Sequence, residues 1–324
     1  MSVLTGKTVL VTGGTGSFGR AFIRIALTHE PEAIRIFSRG EYLQWEMLNQ
    51  FNDNRLRFFI GDVRDRNRLQ RATDGVDIVV HAAALKQVPT CEYNPVEAVA
   101  TNVLGAVNVL ECAIDQNVDK VIAISTDKAC QAVNLYGATK AVMERLFVQA
   151  NSYSGKHKTK FSCVRYGNVS NSRGSVLPLF REQAKSGSIT ITDTRMSRFW
   201  LTLEKGVDFV LQSLEEMQGG EIFIPKLPSV LVTDIASAVE STVEPTVSRV
   251  VIGTRPGEKI HEMLITAEEA RHSVGFDNHY VILPEHSFWK TRLFSGEPLP
   301  EGFQYSSDTN KEWLSSEDLR KMLI

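Results

Sequence analysis

Two groups of residues in this sequence are spaced for chemistry. Tyr136 and Lys140, in Tyr136-Gly137-Ala138-Thr139-Lys140, stand four apart, so a helix sets them on one face. An ammonium beside a phenol favours the phenolate and draws the tyrosine pKa down. The same lysine is suited to hold the ribose of a nicotinamide. Just upstream, Ser125-Thr126-Asp127-Lys128 puts hydroxyls, a carboxylate and an amine at the end of an apolar run. A lone Tyr-x-x-x-Lys is a weak signal, because surface tyrosines and solvated lysines fall at that spacing by chance. It gains force from a glycine loop a hundred residues earlier.

That loop is Thr12-Gly13-Gly14-Thr15-Gly16-Ser17-Phe18-Gly19. Its glycines follow a strand-like run and open a helix-like one, the context of a dinucleotide site. Gly13 permits the tight turn, Gly16 lets the backbone approach a pyrophosphate, and Gly19 lets helix and strand pack closely. Thr15, Ser17 and Phe18 complete the loop. The next strand-like run ends Phe37-Ser38-Arg39, where an NAD site normally ends in Asp or Glu. Arg39 suits a 2′-phosphate in bidentate fashion and Ser38 suits a donor to it, so the expected cofactor is NADP. Glu41, close by, keeps NAD open. Asp62-Val63 fits a carboxylate near the adenine amino group or, more plainly, a polar strand-end turn.

The elements that must position these residues alternate. Thr8–Thr12, Ala33–Ser38, Arg57–Ile60, Ile78–Ala82, Val121–Ser125 and Phe161–Arg165 read as strands. Several are near-continuous apolar runs, as in parallel strands buried on both faces. Phe18–Leu27, Asn94–Asp115 and Tyr136–Asn151 read as helices. The predicted fold is α/β, a Rossmann-type doubly wound parallel sheet. Beyond about Asn168, Gly, Pro and Ser become frequent and short strands such as Glu221–Ile224 appear. The expected organisation is a nucleotide-binding domain over 1–167, with a return near 191–220, and a smaller mixed α/β substrate-binding region over 168–324.

Composition narrows the class. A net charge of −2 over 324 residues gives no reason to expect nucleic acid or an anionic membrane. Met1 to Lys7 run into a strand without a signal-peptide pattern, and no apolar stretch is expected to reach the ~20 residues that span a bilayer. The four cysteines, Cys91, Cys112, Cys130 and Cys163, lack metal or disulfide spacing, so no metal is expected. They read as reduced thiols in a cytoplasmic protein, with Cys130 notable for its place beside the Asp-Lys pair. His81 reads as a core histidine rather than a catalyst.

Glycine loop plus Tyr-x-x-x-Lys resembles the extended short-chain dehydrogenase/reductases. Further strings narrow the resemblance: Ser125 to Ala129, Asn134 to Lys140, His81-Ala82-Ala83-Ala84-Leu85-Lys86, Arg165 to Val169, Ser172 to Val176, Arg198-Phe199-Trp200 and Arg255-Pro256-Gly257-Glu258-Lys259. Together they are similar to the inverting UDP-N-acetylglucosamine 4,6-dehydratases that begin pseudaminic acid synthesis. The resemblance implies transient oxidation at carbon 4 with Tyr136 as base and Thr126 on the carbon 4 oxygen. It implies removal of the carbon 5 proton by a neutral Lys128, and Asp127 as the acid that expels the carbon 6 hydroxyl. It also implies NADP contacts from Ala82, Ala83, Ala84 and Lys86, the last shared with substrate. For the UDP-sugar it implies Asn168, Arg173, Val176, Thr190, Arg195, Met196, Arg198, Arg255 and Glu258. Helices over Asn94–Asp115 and Tyr136–Asn151 would join copies into a homo-oligomer, dimer-based and up to a hexamer.

Three departures from the family pattern bear on the active-site wall: Gln87 replaces a histidine, Cys130-Gln131-Ala132 replaces Ala-Asn-Pro, and Gly40 replaces an acidic residue. The competing readings are a retaining 4,6-dehydratase, an L-fucosamine-pathway enzyme, a UDP-sugar 4-epimerase and a silent NADP-sensing regulator. An epimerase needs no acid and base for eliminating water, and a regulator would be expected to have lost Tyr136 or Lys140.

Overall fold

The computed structural model describes residues 2–155, 158–170, 175–243, 247–286, 288–289 and 294–323. Apolar runs of four to six residues form β1 (Thr8–Thr12), β2 (Ala33–Ser38), β3 (Leu56–Ile60), β4 (Ile78–His81), β5 (Lys120–Ile124) and β6 (Lys160–Val164). They pair in parallel in the order β6-β5-β4-β1-β2-β3. The predicted Rossmann arrangement is therefore the one observed, and its strand order reverses between β1 and β4. Ligands of open α/β sheets bind at such a point, beyond the carboxyl ends of the strands. Helices α1 (Ser17–Ala26), α2 (Glu41–Phe51) and α3 (Arg66–Thr73) follow the first three strands.

The stretch predicted as one helix over Asn94–Asp115 is built from pieces. After a short α4 (Val88–Tyr93), Asn94 interrupts the backbone; α5 (Pro95–Val99), a π-helical turn (Ala100–Leu104) and α6 (Gly105–Asp115) then run end to end. The π turn brings Asn102 inward. Its Oδ1 accepts from the Leu85 amide at 2.8 Å, and its Nδ2 donates to Leu85 O at 2.8 Å and Thr139 Oγ1 at 3.0 Å. That fixes the segment after β4 against helix α7 (Leu135–Tyr153). Contrary to the sequence expectation, Pro95–Asp115 is long and apolar enough to cross a membrane by length and composition, with mean hydropathy 1.3 over its most apolar window. Polar Glu97, Asn102 and Asn108 break the apolar run without lowering its average far. Half of that window is buried inside the fold.

Beyond β6 the chain leaves the sheet through β7 (Asn168–Val169), α8 (Val176–Lys185), β8 (Ser188–Ile191) and β9 (Ser197–Leu201). It then returns through α9 (Leu203–Glu216), which packs on α1, and β10 (Ile222–Pro225), which extends the sheet beside β6. β11 (Ser229–Leu231) pairs with β9, α10 (Val232–Glu240) packs on α8, and β12 (Ser248–Val251) pairs with β8. After β13 (Met263–Ile265) and α11 (Ala267–Ala270), β14 (Ser273–Gly275), β15 (His279–Ile282) and β16 (Glu297–Pro298) finish the ten-stranded sheet antiparallel to one another. β17 (Tyr305–Ser306) pairs with β13, and α12 (Ser316–Leu323) packs on α10.

Among the described residues the apolar core has a larger and a smaller part, with a third, minor cluster of Cys91, Ala98 and Tyr136. The larger, around the fully buried Phe22, Phe37, Phe147, Phe161 and Phe223, holds the sheet and its helices. The smaller gathers Leu177, Phe180, Ile189, Trp200, Val230 and Ile235 under α8, α10 and α12. A buried ionic cluster joins β6 to later segments. Arg165 donates to both carboxylate oxygens of Glu144 (2.9 and 2.7 Å), to Glu269 (3.0 and 2.8 Å) and to Leu264 O at 2.9 Å. Three further donor bonds and a second carboxylate compensate the guanidinium's loss of water, as a buried charge requires.

Candidate active site

The cofactor side sits at the switch point. Gly13 has φ +68°, and a Cβ there would lie 2.9 Å from the Cα and N of Ala83. Only glycine fits where the first loop meets the segment after β4. A Cβ on Gly19 would lie 2.4 Å from Gly14 O, which is why helix and loop pack so closely. Gly16 is the N-cap of α1 and supplies no side-chain cap, and a helix N-terminus favours an anion. Thr15 is buried; Ser17 and Phe18 are half-buried, Phe18 with its ring on Phe22. Ala82 and Ala83 donate their N–H groups to Thr12 O at 3.2 Å and Thr12 Oγ1 at 3.4 Å, and Ala84 follows, half-buried.

At the end of β2, Ser38 Oγ accepts from Gln44 Nε2 at 2.9 Å, which leaves its own proton for another acceptor. Arg39 is exposed, its nearest carboxylate Asp62 at 3.9 Å. Asp62 is held by Arg64, whose Nε and Nη2 lie 3.0 and 2.7 Å from Oδ2. Burial works against its charge, but these bonds hold its carboxyl below the usual range. Val63 is buried against α6 near Gly105.

The catalytic candidates meet where β5 and α7 approach. Asn134 caps α7, accepting from the Gly137 amide at 2.8 Å, and so starts the helix that carries Tyr136 and Lys140. Both are buried. The expected lowering of the tyrosine by Lys140 is overturned. Lys140 Nζ donates to Ile124 O at 2.6 Å and contacts Met143 Sδ at 2.9 Å, and burial brings it down to about 8. Burial pushes Tyr136 up to about 12; the ammonium that pulls it back is that of Lys128, aided by a hydrogen bond with Thr126.

Lys128 also departs from expectation. Its Nζ lies 3.0 Å from Asp127 Oδ1 and 3.4 Å from Glu262 Oε1. Burial alone would lower this amine, but the two carboxylates hold it well above its ordinary value. It is an ammonium at rest, not a neutral base. Thr126 donates to the same Asp127 Oδ1 at 2.9 Å, whereas buried Oδ2 has no partner among the described residues. An oriented carboxylate with one free oxygen can meet a substrate hydroxyl.

The substrate-side residues divide. Arg198 is buried and donates to Ser197 O, Ile260 O and Lys259 O, with Glu258 at 4.0 Å and Glu262 at 3.9 Å. Glu258 accepts from the Arg255 amide at 3.3 Å, and Arg255 itself is exposed. Asn134 Nδ2 donates to Gly257 O at 2.8 Å and Lys259 Nζ to Cys130 O at 2.5 Å, so this loop is tied to α7 and to the Asp-Lys turn. Asn168 on β7 keeps a buried Oδ1 without a partner among the described residues. Lys86 is exposed, its pKa lowered by crowding and then by the nearby Lys128.

The remaining candidates stand apart. Arg195 is exposed and bound to Asp193 at 2.7 Å. Thr190 is engaged with Gln183 at 2.7 Å, while Met196 and the half-buried Val176 belong to the smaller core. Arg173 lies outside the described residues.

His81 is a core residue: its Nδ1 is 2.8 Å from Thr12 Oγ1, its ring stacks on Phe147, and burial lowers it to about 3. Cys130 is buried, its thiol pushed up to about 12 chiefly by burial. All four cysteines are free and buried.

Glu262, Lys259 and Gln44 escaped the sequence reading. Glu262 had a signal: a single carboxylate between Ile260 and Met263-Leu264-Ile265, three residues after a lysine, which is 2% exposed once folded. Buried carboxylates are rare without a partner.

Comparison with known proteins places this geometry. Residues 9–284 match the family described as "Polysaccharide biosynthesis protein". The chain is 48% identical, over 98% of its length and 97% of the relative's, to a "UDP-N-acetylglucosamine 4,6-dehydratase (inverting)" of Campylobacter jejuni subsp. jejuni serotype O:23/36 (strain 81-176). It is 44% identical, over 85% of its length and 82% of the relative's, to a "UDP-glucose 4-epimerase" of Rickettsia conorii (strain ATCC VR-613 / Malish 7). Among solved structures, that of Pen from Bacillus thuringiensis superposes with a TM-score of 0.93 at 38% identity, covering 99% of this chain and 98% of that one. The chain belongs to the polysaccharide biosynthesis protein family, within the extended short-chain dehydrogenase/reductases.

Proposed function

We propose that this chain is an inverting UDP-N-acetylglucosamine 4,6-dehydratase, a hydro-lyase that uses and regenerates NADP. The observation that carries it is the pair of buried Asp127 and half-buried Lys128 beside Tyr136, an acid and a base of adjustable charge. An epimerase, which exchanges hydride at one carbon, has no use for such a pair. The Campylobacter relative's name points the same way.

Gly13, Gly16, Gly19 and the α1 amides fit a pyrophosphate; Ser38 and Arg39 fit a 2′-phosphate, Asp62 and Val63 the adenine edge, and Lys140 the nicotinamide ribose. A nicotinamide held there would supply the hydride acceptor for carbon 4 and the hydride donor for carbon 6. Tyr136 accepts the carbon 4 hydroxyl proton, its phenolate favoured by the Lys128 ammonium. The ketone so formed acidifies carbon 5. Lys128 must then be neutral, and the 3.0 Å hydrogen bond to Asp127 Oδ1 offers the route. Moving one proton from Lys128 to Asp127 creates base and acid together. Lys128 removes the carbon 5 proton as Asp127 protonates the carbon 6 hydroxyl, which leaves as water while the C5–C6 double bond forms. A solvent-derived proton then reaches carbon 5 from the opposite face and inverts it, giving UDP-2-acetamido-2,6-dideoxy-β-L-arabino-hex-4-ulose with no net redox change. Arg198, Arg255, Glu258 and Asn168 are proposed to hold the nucleotide and sugar. A cytoplasmic homo-oligomer is proposed, with a second copy over the exposed apolar side chains of α4 to α7.

The test is proton NMR of UDP-N-acetylglucosamine with the protein and NADP in deuterated water. A new methyl signal, deuterium at carbon 5 and the L-arabino configuration are expected. The D-xylo product would move the enzyme to the retaining kind. A 4-epimer without a methyl signal would overturn the dehydratase reading.

A further inference from the structure

Lys128 lies between two carboxylates. From the turn after β5, Asp127 reaches its Nζ at 3.0 Å; from the segment before β13, Glu262 reaches it at 3.4 Å. Arg198 on β9 and Lys259 lie 3.9 and 3.8 Å from the Glu262 carboxylate. Among the described residues, Lys86, after β4, and Tyr136, on α7, also stand near the ammonium. Glu262 is buried, and its Oε2 has no hydrogen-bond partner among the described residues. Its backbone is pinned, because its N–H donates to Ser307 Oγ at 2.9 Å and its carbonyl accepts from the Ser307 amide at 2.8 Å.

We propose that Glu262 is a positioning residue for the elimination: opposite Asp127 it grips the Lys128 ammonium, fixing where that nitrogen lies and when it releases its proton. The inference rests on the dehydratase reading for its role in the reaction, but not for the grip itself. Two fixed carboxylates aim the nitrogen in a way that one flexible partner does not. They also make the proton hard to lose, so Glu262 together with Asp127 controls how much neutral amine is present. Burial, reinforced by the charge of Asp127, holds the Glu262 carboxyl above the ordinary range against the pull of Lys128.

The sign follows from charge alone. Glu262→Gln keeps the shape and removes a negative charge near an amine, so the Lys128 pKa falls by about 1–3 units. If neutral Lys128 is the base, the rising limb of the pH–rate profile for methyl formation moves down in pH by a similar amount. The best rate falls about tenfold, because the nitrogen is less well aimed, and KM stays near that of the parent. Glu262→Asp, which keeps the charge, leaves the limb near its parent position. The second measurement does not depend on turnover. In protein labelled with 13C at lysine Cε, the Lys128 signal, assigned with Lys128→Arg, is titrated in the parent and both Glu262 variants.

A limb and a titration that both move down in Glu262→Gln support the proposal. A limb and a titration that superpose on the parent, with only the folded fraction reduced, overturn it. If the parent makes no methyl product yet the titration moves, the dehydratase reading fails and the grip stands. If Glu262→Gln does not fold, Glu262→Asp decides: it must titrate close to the parent, and a Lys128 signal lowered by more than one unit there overturns the proposal.

Discussion

At the scale of single residues, burial outranks spacing. His81 lies deep in β4 and is held neutral, its pKa lowered to about 3 from 6.5. Below pH 6.5 the unfolded chain takes a proton there that the folded chain refuses, so stability is lost as pH falls from 6.5 toward 3. His81→Gln removes that contribution. Urea midpoints between pH 7 and pH 4 should show the parent's stability falling toward the variant's by about 1.4 kcal/mol per unit below 6.5; parallel curves would contradict this. The residues themselves were legible: Asp127, Lys128, Tyr136 and Lys140 all lie where strand and helix periodicity put them. Their charge states were not. Spacing said that Lys140 would tune Tyr136, but tuning depends on which carbonyl or sulfur the ammonium turns to, and that is settled by Ile124 and Met143. Glu262 stayed hidden because the ammonium it meets, that of Lys128, stands 134 residues earlier in the chain, a juxtaposition that no local pattern encodes.

At the scale of elements, strand limits and the glycine loop were read to within a residue, because apolar runs and glycine spacing are local facts. The long helix over Asn94–Asp115 was not, since its π turn answers to Asn102 reaching back to Leu85 and across to Thr139. The cap of α7 has two jobs of the same kind. Asn134 accepts from Gly137 and donates to Gly257 O, joining α7 to the loop of Arg255 and Glu258. Asn134→Ala should cost about 1–2 kcal/mol by chemical denaturation and raise KM for the UDP-sugar severalfold. Asn134→Asp keeps the cap and loses the donor, so it should raise KM with nearly parental stability. Equal KM values in the parent and Asn134→Asp would remove the tether from the account of substrate binding.

At the scale of the whole molecule, Tyr93, Val96, Leu104 and Val142 expose large apolar side chains on α4 to α7, helices that also pack on each other. If a second copy covers them, light scattering gives at least twice the 36.1 kDa chain mass. Leu104→Arg, placing a charge where apolar surface would meet apolar surface, should return the mass to one chain at micromolar concentration. A parent already monomeric would refute the pairing. Another feature constrains how the chain can be divided. Arg165 stands at the end of β6, while Glu269 and the Leu264 carbonyl that complete its cluster arrive a hundred residues later. A fragment ending after β6 would keep the guanidinium but lose one of its two carboxylates and β10, the neighbour that covers β6; the other fragment would carry Glu269 with no cation to receive it. The gene therefore cannot be cut at that point into two separately expressible parts, and neither half could be exchanged between relatives unless the arginine and its distant glutamate travelled together.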